Sequence, residues 1–285
     1  MPDSTAAPSR PSLPPALQAT LEAFLLELNA AAAAVTLPLF RTGLDVANKA
    51  GANMEGYGAF DPVTAADHGA EAAIRRLIAE RFPDHGVIGE EYGEDRPDAE
   101  FVWILDPVDG TRAFVSGIPL WAHLIGLRCQ GQPLMGLIGQ PYLQEAFLGA
   151  PSGSRLVRPD GERPLRVRPC PRLTEATLAA TDPVGCFNGA EQGAFSQVRA
   201  AARLTRLGGD AYIFALVALG GIDIVVEAGL KTWDIDPVIP VIENAGGLVM
   251  DWRGRPVGRN GGQVVAVGDP RVLDEALVSL KRSAS

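Results

Sequence analysis

The segment Trp103-Ile104-Leu105-Asp106-Pro107-Val108-Asp109-Gly110-Thr111 constrains this chain more than any other feature, because an apolar strand runs directly into a tight turn bearing two carboxylates. A strand that apolar is buried, so its end has to open at a pocket where acids are tolerated. Pro107 fixes the bend and Gly110 lets the backbone turn sharply, so Asp106, Asp109 and the carbonyl of Val108 converge on one small volume. Two carboxylates that close repel unless a cation or a proton sits between them. An all-oxygen donor set of carboxylates, a carbonyl and a hydroxyl suits Mg2+, Mn2+ or Ca2+ rather than zinc or copper, and Mg2+ is the leading candidate. Taken alone, the same turn is equally an aspartate-rich loop held by hydrogen bonds from its own backbone.

It does not stand alone. Glu90 and Glu91 close another short strand, Asp61-Pro62-Val63-Thr64 opens a helix upstream, and Trp233-Asp234 precedes a helix near the C-terminal end. Composition narrows what such an acidic set can serve. With 25 Lys+Arg against 34 Asp+Glu in 285 residues, the net charge of −9 leaves no basic footprint for nucleic acid. The 47% hydrophobic content buries a core without the long apolar runs of a membrane protein. Cys129, Cys170 and Cys186 are odd in number and widely spaced, which fits reduced, buried, apolar side chains. The first 20 residues lack the basic and apolar regions of a secretory signal, so the expected location is the cytoplasm.

Residues 1–15 carry Pro2, Pro8, Pro11, Pro14 and Pro15 among polar residues and are expected to form a disordered tail. Residues 16–155 read as an N-terminal α+β subdomain. Its expected elements are helices over 17–37, 39–49 and 64–82, a glycine-rich loop from Gly51 to Gly58, strands at 86–89 and 101–105, and an antiparallel meander over 121–150. Pro151 to Pro171 is a turn-rich connection with Asp160-Gly161 at a hairpin tip. Residues 156–285 read as an α/β subdomain completing the site, with strands at 177–181, 222–227, 248–251 and 263–267 and helices at 190–202, 211–219, 236–245 and 270–280.

Five blocks taken together, Asp61-Pro-Val-Thr64-Ala-Ala-Asp67, Gly89-Glu90-Glu91, Trp103 to Thr111, Gly208-Gly-Asp210-Ala-Tyr212 and Glu227-Ala-Gly-Leu-Lys-Thr-Trp233-Asp234, resemble the inositol monophosphatase-like family of magnesium-dependent phosphatases. The resemblance implies a layered αβαβα sandwich of the inositol monophosphatase and fructose-1,6-bisphosphatase type, assembled as a homodimer. It implies one Mg2+ on Glu90, Asp106 and the Val108 carbonyl, a second on Asp106, Asp109 and Asp234, and a third, weaker ion near Glu90, with Mn2+ able to substitute. Asp61 and Thr64 then hold Thr111 and the attacking water in line, and Gly110 and Thr111 offer backbone amides to the phosphate.

Substrate choice rests on Asp210 and Glu227. Each has a simpler reading, Asp210 as an N-cap and Glu227 as an exposed strand-end acid. Together they form an anionic pocket suited to an amine-bearing alcohol, and the chain is most similar to the histidinol-phosphatase branch. Hydrolysis of histidinol phosphate to histidinol, a step of histidine biosynthesis, is therefore the first expectation. Alternatives are an inositol-1-monophosphatase or broader polyol phosphatase, and a catalytically silent metal- and phosphate-binding protein. A fructose 1,6-bisphosphatase would need a second cationic patch that the sequence does not offer. Asp234-Ile235-Asp236 could also serve as an aspartyl-phosphate D-x-D pair, but Lys231-Thr232-Trp233 is no apolar strand, and Asp236-Pro237 reads as an N-cap. Lys49 reads as a solvated loop residue, Arg112 as a surface ion pair, and His68, His85 and His123 as structural or exposed.

Overall fold

The computed structural model describes residues 11, 13–43, 45–49 and 62–285. Most of the expected tail, the Gly51–Gly58 loop and Asp61 lie outside the described residues. Helix α1 (Pro15–Thr36) starts with proline in its first turn, where the missing N–H costs no bond. It is long and apolar enough to cross a membrane by length and composition. Its stripe of Leu21, Phe24, Leu25 and Leu28 is, however, buried against a sheet together with Ile74 of α2 (Ala65–Arg81). Among the described residues, the helix expected over 39–49 is absent. Residues 37–42 form turns, and β1 (Ala47–Asn48) pairs with β2 (Pro62–Val63). Pro38 cannot supply the next helical N–H, and Phe40 is drawn into a cluster with Phe114 and Trp121.

The larger sheet has eight strands: β3 (Gly86–Gly89), β4 (Gly93–Asp95), β5 (Phe101–Asp109), β6 (Ala122–Cys129), β7 (Gln132–Gln140), β8 (Glu145–Ala150), β9 (Gly153–Arg158) and β10 (Gly161–Pro164). Its order is β10-β9-β8-β7-β6-β5-β3-β4, antiparallel except for β3 beside β5. The 151–171 connection holds the expected hairpin, β9 and β10 turning between Arg158 and Gly161. The smaller sheet runs β12 (Leu204–Leu207), β11 (Thr177–Ala180), β13 (Ile224–Leu230), β15 (Gly262–Val267), β14 (Leu248–Met250). Strand β12 was not expected from the sequence. Short and exposed at a sheet edge, it carries no run of buried side chains.

Successive residues of a strand face opposite ways, and this sets the layers. Val225 of β13 points into the cluster between the sheets, with Phe214 of α5 (Tyr212–Ala218) and Val241 of α7 (Val238–Glu243). Ile224 and Val226 point outward, to Val198 of α4 (Gly189–Ala201) and Leu273 of α8 (Pro270–Leu280). The order is helices, large sheet, helices, small sheet, helices: an αβαβα sandwich.

One glycine row decides how closely the middle layer sits. Gly126, Gly136 and Gly149 face one another across β6, β7 and β8, and a Cβ on any of them would press on the backbone of Pro237 or Pro240. Their absence of side chains lets the chain entering α7 lie directly on the large sheet. The preceding turn, α6 (Thr232–Ile235), carries Asp234 and is thereby brought down toward the end of β5. The helix expected over 236–245 is the shorter α7, and a separate single turn, α6, precedes it. Asp236 is not an N-cap: it ends α6, buried in an ion pair with Arg128 and Thr232 close by.

Candidate active site

Strands β3 and β5 are parallel with Gly89 opposite Leu105, and the Glu90 N–H donates to the Leu105 carbonyl at 3.1 Å. That register sets Glu90 beside Asp106. Asp106 turns its carboxylate back to accept from the Val108 N–H at 3.0 Å, which shapes the turn through Pro107. Gly110 follows with φ 79°, a left-handed conformation, and Asp210 packs 2.9 Å from where its Cβ would be, so only glycine fits. Helix α3 (Thr111–Val115) starts immediately after it.

Carboxylate oxygens of Asp106, Asp109 and Asp234 lie within 4.8 Å of one another. Asp234 also accepts from the Lys231 N–H at 2.7 Å, and Asp109 from the Ala211 N–H at 2.6 Å. These acids line a cavity of about 660 Å³ together with Glu90, Thr111 and Asp210. Burial, reinforced by Glu90 and Asp109, pushes Asp106 well above the usual carboxylate range. Burial and the charge of Asp210 do the same to Asp109. Asp234 is pushed up to about 7 by burial, against the pull of the Lys231 N–H. Such a set is stable only when protons or cations neutralise it. Its donors are all oxygen, so the residues fit a hard divalent cation such as Mg2+.

Glu90 stands outside the 4.8 Å group. Its partner is Lys49, whose ammonium lies 2.9 Å from Glu90 and 2.5 Å from Glu91. Lys49 is therefore not a solvated loop lysine. Burial disfavours its charge, but the hydrogen bond to Glu91 and the charge of Glu90 prevail and raise its pKa. Thr64 caps α2 and donates its hydroxyl to Asp67 at 2.7 Å. The Thr111 hydroxyl lies 3.2 Å from Asp67 and 3.0 Å from the Val108 carbonyl, so its contact with α2 runs through Asp67 rather than Thr64.

Asp210 makes no side-chain cap of α5, and the Ala211 N–H beside it donates to Asp109. It is instead mostly buried under Gly110, and burial lifts it to about 6 against the nearby Arg112 charge. Arg112 lines the cavity. Glu227 is buried rather than exposed, accepts from the Thr181 N–H at 2.5 Å, and is pushed up to about 8 by burial. It lines an adjoining space of about 210 Å³ that Asp109, Asp210 and Asp234 share. Cys129 and Cys170 are buried as expected, but Cys186 is exposed and lines both spaces.

Asp67 and Glu71 have no role in the sequence blocks above. The signal was present, since Thr64, Asp67 and Glu71 at spacings of three and four share one helical face.

The profile of the inositol monophosphatase family matches residues 17–285. Over 230 residues the chain is 39% identical to the chloroplastic bifunctional phosphatase IMPL2 of Arabidopsis thaliana, covering 77% of this chain and 65% of that protein. It is 35% identical over 194 residues to a histidinol-phosphatase of Chlorobaculum parvum, covering 68% of this chain and 74% of the relative. Among solved structures, an inositol monophosphatase from Zymomonas mobilis superposes with a TM-score of 0.81 at 37% identity, over 92% of this chain and 98% of that one. Five layers, three converging aspartates at the end of β5 and a match over nearly the whole chain agree: this protein belongs to the inositol monophosphatase family of phosphatases.

Proposed function

We propose that the chain hydrolyses histidinol phosphate to histidinol and phosphate, with Mg2+ bound by Glu90, Asp106, the Val108 carbonyl, Asp109 and Asp234. The observation carrying the metal-dependent chemistry is the convergence of Asp106, Asp109 and Asp234 within 4.8 Å at a cavity wall. Glu90, Asp106 and the Val108 carbonyl would hold one ion, Asp106, Asp109 and Asp234 would hold a second, and Glu90 would help to hold a third, weaker one. When bound, such ions make water nucleophilic at neutral pH, neutralise the phosphoryl oxygens and steady the departing oxygen.

The chain's own groups do the positioning. The Thr111 hydroxyl hydrogen is shared between the Val108 carbonyl and Asp67, which leaves an oxygen lone pair to accept from the attacking water. Thr64 supports that alignment from the N-cap of α2, and Asp61 is assigned the same task by the family resemblance. The amides of Gly110 and Thr111 receive phosphate oxygens. Water oxygen bonds to phosphorus as the ester P–O bond breaks and the alcohol takes a proton, so no phosphoenzyme forms.

Substrate preference follows from Asp210, partly exposed, and Glu227, buried, two acids facing one space beside the aspartate group. A leaving group bearing an ammonium gains from both, whereas a neutral polyol gains only hydrogen bonds. The histidinol-phosphatase relative supports this choice, and the resemblance to an inositol monophosphatase structure keeps inositol 1-phosphate as the second reading. The protein acts as a cytoplasmic homodimer, and Mn2+ can replace Mg2+.

The test is phosphate release from histidinol phosphate and inositol 1-phosphate, with Mg2+ present and then chelated. The expected result is a higher kcat/KM for histidinol phosphate, abolished by chelation. Equal or faster turnover of inositol 1-phosphate overturns the preference, and turnover that survives chelation overturns the metal reading. Binding of phosphate esters without release of phosphate would make the protein a silent binder.

A further inference from the structure

We infer that Glu71 is a positioning residue, fixing through two backbone amides the loop that presents Glu90 to the metal site. The inference rests on the reading of Glu90 as a metal ligand. Glu71 lies on α2, one turn beyond Asp67, and is fully buried. Its carboxylate accepts from the Glu91 N–H at 2.8 Å and the Tyr92 N–H at 3.3 Å, the two amides immediately after Glu90. Arg75, one turn further along the same helix, donates from Nε to Glu71 at 2.7 Å and from Nη2 to the Gly93 carbonyl. The guanidinium thus supplies the countercharge and closes the far side of the loop.

The residue before Glu90 shows that this contact is built into the backbone. Gly89 has no space for a side chain: a Cβ there would overlap the Glu71 carboxylate and lie 2.9 Å from Arg75 Nη2. The strand therefore approaches α2 closely enough for the carboxylate to reach past it to the amides. Glu90 is then held on two sides, by its own N–H on the Leu105 carbonyl of β5 and by the following amides on Glu71 of α2. Since Asp67 of the same helix face lies within hydrogen-bond reach of the Thr111 hydroxyl, one helix face indexes both carboxylate-bearing loops against each other.

Removing Glu71 leaves two amides unsatisfied and frees the loop, so the Glu90 carboxylate loses its fixed position while remaining present. Outer partners of this kind typically change metal affinity by about 10–100-fold.

The test is a double-mutant cycle on binding of Mg2+ alone, by calorimetry, in the wild type, Glu71→Ala, Glu90→Gln and the double variant. Melting temperature in chelator checks that each is folded. The expected result is about tenfold weaker Mg2+ binding for Glu71→Ala and no further loss when it is added to Glu90→Gln. Glu71→Gln, which keeps one acceptor oxygen, falls between wild type and alanine and carries the same comparison should the alanine variant not fold. If Glu90→Gln weakens Mg2+ binding but Glu71→Ala and Glu71→Gln do not, the positioning role is overturned. It is equally overturned if the two losses add in full, because Glu71 then acts elsewhere. Unchanged Mg2+ binding in Glu90→Gln overturns the ligand reading of Glu90 instead.

Discussion

Asp109 and Ala211, 102 positions apart in sequence, are joined by a 2.6 Å hydrogen bond from the Ala211 N–H to the Asp109 carboxylate. An acid at the end of the large sheet thereby satisfies the first turn of a helix packed between the two sheets. The same carboxylate faces Asp106 and Asp234, so its charge and its acceptor oxygen serve different ends.

Asp109→Asn separates them. The amide oxygen can still accept from Ala211, and a buried group that folds only with a proton or cation is replaced by a neutral one, so the melting temperature in chelator stays equal or rises. Turnover with Mg2+ falls by at least about 100-fold, the upper end of what losing an outer partner costs. Thermal melts beside phosphate-release rates check this, and a destabilised but active variant would contradict it.

Gly136→Ala probes the close seat of the middle layer. The added methyl meets the Pro237 carbonyl, so the chain entering α7 must lift off the sheet. Such overpacking costs about 1–3 kcal/mol. Because α6 and Asp234 are delivered by the same stretch, Mg2+ affinity falls together with stability. Gly153→Ala is the control for a glycine with open space around it, although its φ of 120° gives that substitution a strain of its own. Denaturant melts and metal titration of both variants supply the comparison.

The chemistry of the site was more legible in the sequence than its supports. Paired acids after an apolar strand mark a place where burial and charge conflict, and that conflict can be read without coordinates. Lys49 reads as an ordinary loop lysine, and Asp210 admits an N-cap reading beside its pocket role, for one reason: each has a plain local role, and only the approach of a distant segment decides against it. Gly110 over Asp210 and the acids Glu90 and Glu91 around Lys49 are long-range contacts that no local pattern encodes. The aligned Gly126, Gly136 and Gly149 become one surface only when the register of three strands is known. Pro38 was a readable stop, and the expected helix over 39–49 gave too much weight to apolar residues used in an aromatic cluster.

Without metal, stability should fall as the medium becomes alkaline. Asp106, Asp109 and Asp234 have pKa values raised above their ordinary ones, so the folded state holds protons that the unfolded chain releases near pH 4. Their contribution is fully present below that point and is lost as pH rises through about 7, the value for Asp234. Melting temperature in chelator therefore drops between about pH 5 and about pH 8, and added Mg2+ restores more at the higher pH. A Mg2+ effect that is the same at both ends would remove the cluster as the cause.

Glu227 gives a pH signature to substrate choice. Its carboxyl, raised to about 8 by burial, is largely neutral at pH 7 in the free protein. An ammonium on the substrate favours the ionised form, so binding it must displace a proton below that pKa. The kcat/KM for histidinol phosphate, divided by that for inositol 1-phosphate, should rise with pH and level off above about 8, because the neutral polyol requires no ionised Glu227. Titration of the substrate imidazole adds its own slope, which Glu227→Gln leaves in place. The comparison is therefore between the two enzymes' ratios. The variant should lose the rise toward pH 8 and bring the two substrates within about tenfold of each other, the size of one pKa unit of interaction. A variant whose ratio follows the wild-type curve at every pH would show that the ammonium is read by other groups.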